Sequence, residues 1–169
     1  MTLPAESCAR SIADASALPM PIAADARGQA GFALWSIPAS NERREFIGPP
    51  TPTTHLIAMG LSSFSAECFK DGRQLRRRNF PYGYVQIMEA GVTPRAILPG
   101  KARFLHAYVP TSLFEETARD AGCRAMPQLL DPEGDIIPHG NDFARQLAIE
   151  LTRPMTAVTR LWLDGATLQ

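Results

Sequence analysis

The segment Lys101-Ala-Arg-Phe-Leu-His-Ala-Tyr-Val-Pro110 decides the fold class. It is a short apolar and aromatic run, opened by Pro99-Gly100 and closed by Pro110, of the length and composition of a strand rather than a helix. It ends a longer region, residues 53–110, built in the same way. Thr53–Leu61 is dense in aliphatics, and Phe64–Lys70 ends at Asp71-Gly72, the strongest two-residue hairpin signal in the chain. Arg73–Phe80 continues from that turn and is broken by Pro81 and Gly83. Tyr84–Ala90 runs into Gly91, and Val92–Leu98 runs into Pro99-Gly100. Strands at spacings of about eight to twelve residues, punctuated by Gly and Pro, predict an antiparallel sandwich or barrel.

On the N-terminal side, residues 1–30 are rich in Ala, Ser and Pro and read as a flexible arm, either a partly disordered leader or an arm lying on the barrel. Within it Ala9–Leu18 is a weak helix candidate with Ile12, Ala15 and Leu18 on one face. Phe32–Ile37 reads as a first strand, Ser40–Glu45 as a solvated loop, and Gly48–Pro52 as a rigid linker. Past Pro110 the periodicity turns helical. Thr111 is the expected N-cap of a helix over Ser112–Ala121, with Leu113, Phe114 and Thr117 or Ala118 inward and Gly122 as its stop. Met126–Leu130 reads as a short strand and Asp131-Pro-Glu-Gly134 as a turn. A second helix runs from Asn141 or Asp142 to Thr152, with Phe143, Leu147 and Leu151 as its apolar stripe. Pro154 suits the first turn of a third helix, on which Val158, Leu161, Trp162, Gly165 and Leu168 share a face. The expected organisation is an arm (1–30), a β-barrel (31–110) and a helical segment (111–169).

The totals narrow the function classes. A chain of 169 residues suits one domain that removes roughly two-thirds of its unfolded surface from water. Its 17 basic and 17 acidic residues cancel, so no overall field draws it to nucleic acid or anionic lipid. No apolar run approaches membrane-spanning length, and the N-terminus lacks the pattern of a secretory signal, so a cytoplasmic protein is expected. Cys8, Cys68 and Cys123 are odd in number and far apart, as thiols of a reducing compartment are. Arg73, Arg76, Arg77 and Arg78 form one basic cluster, read as a solvated strand edge rather than a nucleic-acid surface.

No catalytic motif is present. There is no G-x-S-x-G, no glycine-rich phosphate loop and no histidine beside a cysteine in sequence. His55, His106 and His139 include no His-x-His pair; convergence of His55 and His106 with Glu89 across strands would be needed for a metal, and ordinary hydrogen-bonded histidines are the favoured reading. No metal and no cofactor are expected. The aromatic faces are more informative. Alternation puts Phe104, His106 and Tyr108 on one face of their strand, opposite Leu105, Ala107 and Val109, and groups Tyr84, Gln86 and Met88 likewise. These six residues either line a ligand pocket inside the barrel or form its outer face beneath the helices. The pocket assignment is carried forward.

At His55-Leu-Ile-Ala-Met-Gly-Leu-Ser62, Glu89-Ala-Gly91 and Phe104-Leu-His-Ala-Tyr-Val-Pro110 the chain resembles the N-terminal sensor domain of AraC-type transcription regulators. The resemblance continues through Leu113-Phe-Glu-Glu-Thr-Ala118, Asp142–Leu151 and Arg160-Leu-Trp-Leu-Asp-Gly165, so it covers roughly residues 53–169. It implies a mainly β chain, a cupin-like jelly-roll barrel followed by about three helices, that binds a small-molecule effector and forms a homodimer. It also implies that DNA is bound only by a helix-turn-helix domain absent from this chain, which then reads as a truncated piece. Val158, Leu161, Trp162 and Leu168 are the expected dimer interface. The function expected is sensing and dimerisation without catalysis. The alternatives are a metal-dependent cupin enzyme and an interaction module with a filled barrel.

Overall fold

In a computed structural model, which describes residues 5–16, 18–26, 30–40, 42–49, 51–75, 79–123 and 138–166, the apolar runs of residues 53–110 become strands. The first half of the chain gives α1 (Ala5–Ser16), β1 (Ile22–Ala26), β2 (Ala30–Ile37), β3 (Arg44–Ile47), β4 (Thr54–Gly60), β5 (Phe64–Ser65), β6 (Glu67–Lys70) and β7 (Arg73–Gln74). It is followed by β8 (Asn79–Phe80), β9 (Val85–Met88), β10 (Pro94–Leu98), β11 (Ala102–Pro110), α2 (Thr111–Asp120), α3 (Pro138–Leu151) and α4 (Ala157–Ala166).

All pairings among the described residues are antiparallel. One sheet runs β1-β2-β11-β4-β9 and the other β3-β10-β6-β7, with β5 and β8 as a small ribbon. Each sheet interleaves strands from distant parts of the chain, which is the jelly-roll arrangement. The fold is therefore mainly β and cupin-like, with helices after the last strand. The Asp71-Gly72 hairpin forms where its sequence places it: both residues have positive φ (48° and 79°), as a two-residue turn of this hand requires, and Lys70 pairs with Arg73. The Asp71 carboxylate also accepts the Thr93 N–H at 3.1 Å, tying the turn to the approach to β10.

The N-terminal segment differs most from expectation. Ala5–Ser16 and Ile22–Ala26 make a helix and a strand rather than a disordered leader. Helix α1 starts earlier than Ala9–Leu18 suggested and lies on the barrel, against β1 and β2 of one sheet and β3 of the other. Its buried face is Ala5, Cys8, Ala9, Ile12 and Ala13, while Ala15 is exposed. Small side chains at three- and four-residue spacing let the helix sit close to the barrel, a signal that a search for large apolar residues passes over. Part of the expected loop Ser40–Glu45 is strand: Arg44 and Glu45 pair with Leu98 and Ile97. Their charged ends stay in water while Phe46 points into the core.

The helix ends also shift. Pro110, not Thr111, caps α2 without a side-chain hydrogen bond, because Thr111 still donates its N–H to the Thr53 carbonyl at 3.0 Å, as a continuation of the strand ladder. Leu113 and Phe114 are half-buried, and Ala118 is the buried residue of that helix. Gly122, with φ 73°, stops it and donates to the Arg119 carbonyl at 2.9 Å. In α4 the cap is Thr156, whose hydroxyl accepts the Thr159 N–H at 3.1 Å, so Pro154 lies ahead of the helix rather than in its first turn. The expected strand Met126–Leu130, the turn at Asp131–Gly134, Arg76–Arg78 and Leu168 lie outside the described residues. No helix among those described is long and apolar enough to cross a membrane.

Two apolar clusters result. The inner one lies between the sheets and includes the buried face of α1. The outer one lies between the five-stranded sheet and the C-terminal helices, where Leu105, Ala107, Met59 and Val85 meet Leu147, Leu151 and Leu163. Strand β11 contributes alternate residues to both.

Candidate binding cavity

Register across the five-stranded sheet sorts its inner face into three rows. One row reads Trp35, Phe104 and Gly60; a second reads Gly31, Tyr108, Leu56 and Met88. Between them runs Ala33, His106, Ala58 and Gln86, on β2, β11, β4 and β9 in turn. The two polar side chains of this middle row are thus separated by one alanine-bearing strand. Adjacent strands lie about 4.8 Å apart, so His106 and Gln86 stand roughly 10 Å apart at the backbone, with little between them but the Ala58 methyl. On the facing sheet the row Phe46, Ala96, Cys68 again carries small residues at its middle and one end. Small side chains on both walls leave a cavity of about 50 Å³, lined among others by Ala58, Ala96, Cys68, Phe46 and Phe64.

Five of the six pocket residues expected from alternation line this cavity: Tyr84, Gln86, Met88, Phe104 and His106. The inner-face assignment is therefore the observed one, and the outer face of the same strands packs on the helices. Tyr108 is the exception. It shares the inner face and is buried, but it does not line the cavity and lies toward α1, whose Cys8 thiol adds to the burial that raises the Tyr108 pKa. Alternation placed the face correctly and could not say where along it the cavity ends. The residues that sequence reading missed are those of the second wall. Phe46 stood inside a charged stretch, and Ala58, Ala96 and Cys68 matter for the space they leave, which no motif announces.

Apart from Arg95, the cavity lining carries no charge. His106 is held neutral, its pKa pushed down by burial to about 3. Its ring lies 4.9 Å from that of Phe104 and 5.5 Å, edge-on, from that of Phe46, and Nδ1 is 3.5 Å from the Tyr108 hydroxyl. Burial pushes the Cys68 thiol up to about 12 and raises the Tyr84 phenol, so both keep their protons. Arg95 is the one charged residue in the lining, and its guanidinium pairs with Glu45 and sits over the Phe69 ring at 4.6 Å. The Gln86 carboxamide is buried, lines the cavity and makes no hydrogen bond to any described residue. Tyr84 is positioned by Gly60: a Cβ there would stand 2.1 Å from its ring Cδ1.

A cupin-like barrel raises the question of a metal, and the donor set does not fit one. His55 pairs in register with Val109 and points to the outer face, where Nδ1 accepts the Ala90 N–H at 3.1 Å and the ring packs 5.7 Å from that of Phe114. Burial lowers its pKa, with Glu89 acting in the opposite sense. The sheet thus separates His55 from His106, and the two cannot share an ion. The side chain of His139 lies outside the described residues. Facing the cavity are one imidazole, a protonated thiol and a carboxamide, with no carboxylate, and no group of three His, Cys, Asp or Glu comes together among the described residues.

On α4, Val158 and Leu161 of the expected dimer stripe are 77% and 73% exposed. Trp162 is half-buried against the outer cluster, and Leu163, absent from the expected stripe, is fully buried.

No family model and no curated protein matches the chain. Solved structures similar to it include the cupin domain of Cnp3 from Schizosaccharomyces pombe, at 13% identity and a TM-score of 0.41 over 60% of this chain and 69% of that one. A conserved protein with a double-stranded beta-helix domain from Klebsiella pneumoniae subsp. pneumoniae is similar at 15% identity and a TM-score of 0.42, over 56% and 74%. The EutQ protein of Clostridium difficile is similar at 16% identity and a TM-score of 0.37, over 50% of this chain and 60% of its own, so the chain spans less than two thirds of that protein's length.

Proposed function

We propose that this chain is the effector-sensing and dimerisation domain of an AraC-type transcription regulator: a small molecule is held in the barrel cavity and read out by α3 and α4. The observation that carries the proposal is the double duty of β11. His106 faces the cavity while its chain neighbours Leu105 and Ala107 pack on the outer cluster with Leu147 and Leu163. An occupant that shifts His106 must move the floor on which the helices rest. Occupancy can therefore bias one arrangement of the helices over another, provided the ligand binds the two arrangements with different affinity. The exposed Val158 and Leu161, with Ile149 and Met155 also exposed nearby in sequence, supply an apolar surface for a second copy. DNA contact belongs to a helix-turn-helix domain outside this chain, in keeping with its zero net charge.

An Ala58→Leu variant tests this without knowledge of the ligand, since it fills the cavity from its floor. The expected result is a folded protein whose amide exchange changes in α3 and α4 as well as in the sheet. A folded variant with wild-type exchange in both helices would sink the sensor reading. One observation favours a second reading, the filled-barrel interaction module. The cavity of about 50 Å³ is modest, and on that reading Ala58→Leu simply stabilises the barrel and leaves the helices untouched.

A further inference from the structure

We infer that the cavity is a site for a small uncharged molecule with an amide-like edge, a hydrogen-bond donor beside an acceptor, received by Gln86 and steadied by His106 across Ala58. This rests on the sensor reading and adds the chemistry of the ligand to it.

The first ground is the state of Gln86. Its residue is 5% exposed and lines the cavity, and no hydrogen bond joins its carboxamide to a described residue. Its oxygen and nitrogen, which are not among the fully enclosed orphaned atoms, open onto the cavity space. Buried polar groups nearly always have partners, because burying an amide without one is costly. A carboxamide turned into an otherwise apolar space is a request for a partner from whatever enters. Its oxygen accepts and its NH2 donates, side by side, so the best complement is another donor–acceptor edge, which forms two parallel hydrogen bonds.

The second ground is charge. The one charged lining residue, Arg95, is engaged by Glu45 and Phe69, and the ring of His106 is packed among Phe46, Phe104 and Tyr108. An ammonium brought into this space would lose its water and meet no carboxylate in the lining, and a carboxylate or phosphate would find only a guanidinium already paired with Glu45, so charged ligands are disfavoured. The third ground is size. A cavity of about 50 Å³ takes several waters or an organic molecule of about half a dozen non-hydrogen atoms. The remaining walls, with Phe64, Met88 and Leu98, favour an apolar body.

The test is an NMR titration of the whole chain at pH 7.5 with four probes of similar size: 2-pyrrolidone, cyclopentanone, methylcyclopentane and pyrrolidine, the last a cation at that pH. The lactam is expected to bind most tightly and to shift the resonances of Ala58, Gln86 and His106. Cyclopentanone, which lacks the donor, and methylcyclopentane, which lacks both groups, should bind about tenfold more weakly, and pyrrolidine should not bind. In Gln86→Leu the lactam's advantage over methylcyclopentane should vanish while methylcyclopentane still binds, which shows the space intact. Gln86→Met, of closer length, serves if the leucine variant does not fold.

A lactam preference that survives loss of the carboxamide overturns the inference. So does pyrrolidine binding as well as the lactam, or a folded wild type that takes up none of the probes. Amide exchange in α3 and α4, recorded on the same samples, separates this from the sensor reading. Lactam binding through Gln86 with unmoved helices sinks the sensor reading alone. A charged probe that binds and moves the helices sinks this inference alone.

Discussion

The five-stranded sheet divides the molecule into two cores of opposite character. The outer one, between sheet and helices, is aliphatic and closed: Leu105 and Leu147 have no exposed surface and Leu163 has 1%. The inner one is a ring-rich chamber in which Trp35, Phe46, Phe64, Phe80, Tyr84 and Phe104 meet with centroid separations of 5.0–6.3 Å. It contains buried polar groups and a void, neither of which a core built only for stability would keep. Both cores draw on the same strand. Adjacent residues of β11 thus do different work: Leu105 fills space, while His106 lends polarity to a space left open.

That contrast can be broken, and the largest effect should come from the closed side. Leu105→Ala should cost about 3–4 kcal/mol in a denaturant titration, since it leaves a hole among packed aliphatics that cannot collapse. The cavity beyond the sheet should keep its probe preference. A loss below about 1 kcal/mol would mean that the outer layer is loosely packed and that the contrast is false.

Gly60→Ala acts on the open side. The new methyl group would overlap the Tyr84 ring, which has to move toward the cavity, at a cost of about 1–3 kcal/mol. Unlike Leu105→Ala, it should reduce uptake of 2-pyrrolidone by the folded protein. Equal uptake by this variant and wild type would place Tyr84 outside the functional wall.

A pH series sharpens the comparison further, because among the described residues the inner core alone holds a fully buried histidine. The His106 pKa is depressed in the folded chain to about 3, against 6.5 for an unperturbed imidazole. Between those values the unfolded state binds the extra proton, so stability is fully present above pH 6.5 and falls as pH drops toward 3. The slope should be on the order of 1 kcal/mol per pH unit. His55, whose pKa is also lowered, adds in the same direction. Replacing His106 by Leu should flatten most of this slope in urea titrations at pH 7 and pH 5. An unchanged slope would assign acid sensitivity to other groups.

The smallest effect on the fold is expected at α4. Val158→Asp with Leu161→Asp should change the stability of the single chain by no more than about 0.5 kcal/mol per site, as both side chains already stand in water. Sedimentation should nevertheless show loss of self-association. A wild-type chain that sediments as a monomer at high concentration would remove the dimer from the proposal. Trp162 is the wrong partner for this test, since its ring belongs partly to the outer core and an Asp there would unfold what it is meant to separate.

Much of this was legible in the residues themselves. Strands carry their own period and their own punctuation. Asp71-Gly72 therefore marked its hairpin, Gly122 the end of α2, and the alternation in Phe104–Tyr108 and Tyr84–Met88 the residues that share a face. The helix positions in residues 111–166 were readable for the same reason, as a period near 3.6 is a local property. The role of α1 was only partly legible, because its inward face sets a single large residue, Ile12, among Ala and Cys, and only proximity to β2 and β3 turns such a stripe into core.

What the amino-acid order determined by itself was thus everything that depends on neighbours in the chain: strand length, turn type, helix period and the two-sidedness of each strand. Tertiary structure decided which side became the chamber, that His55 and His106 lie on opposite sides of one wall, and that Val158 and Leu161 face water while Leu163 does not. It also decided that Ala58 and Ala96 leave a space that Gln86 faces unpartnered. The physical reason is that a cavity belongs to no single residue. It is the difference between the volume enclosed by two sheets and the side chains that register brings between them, and register joins strands far apart in the chain.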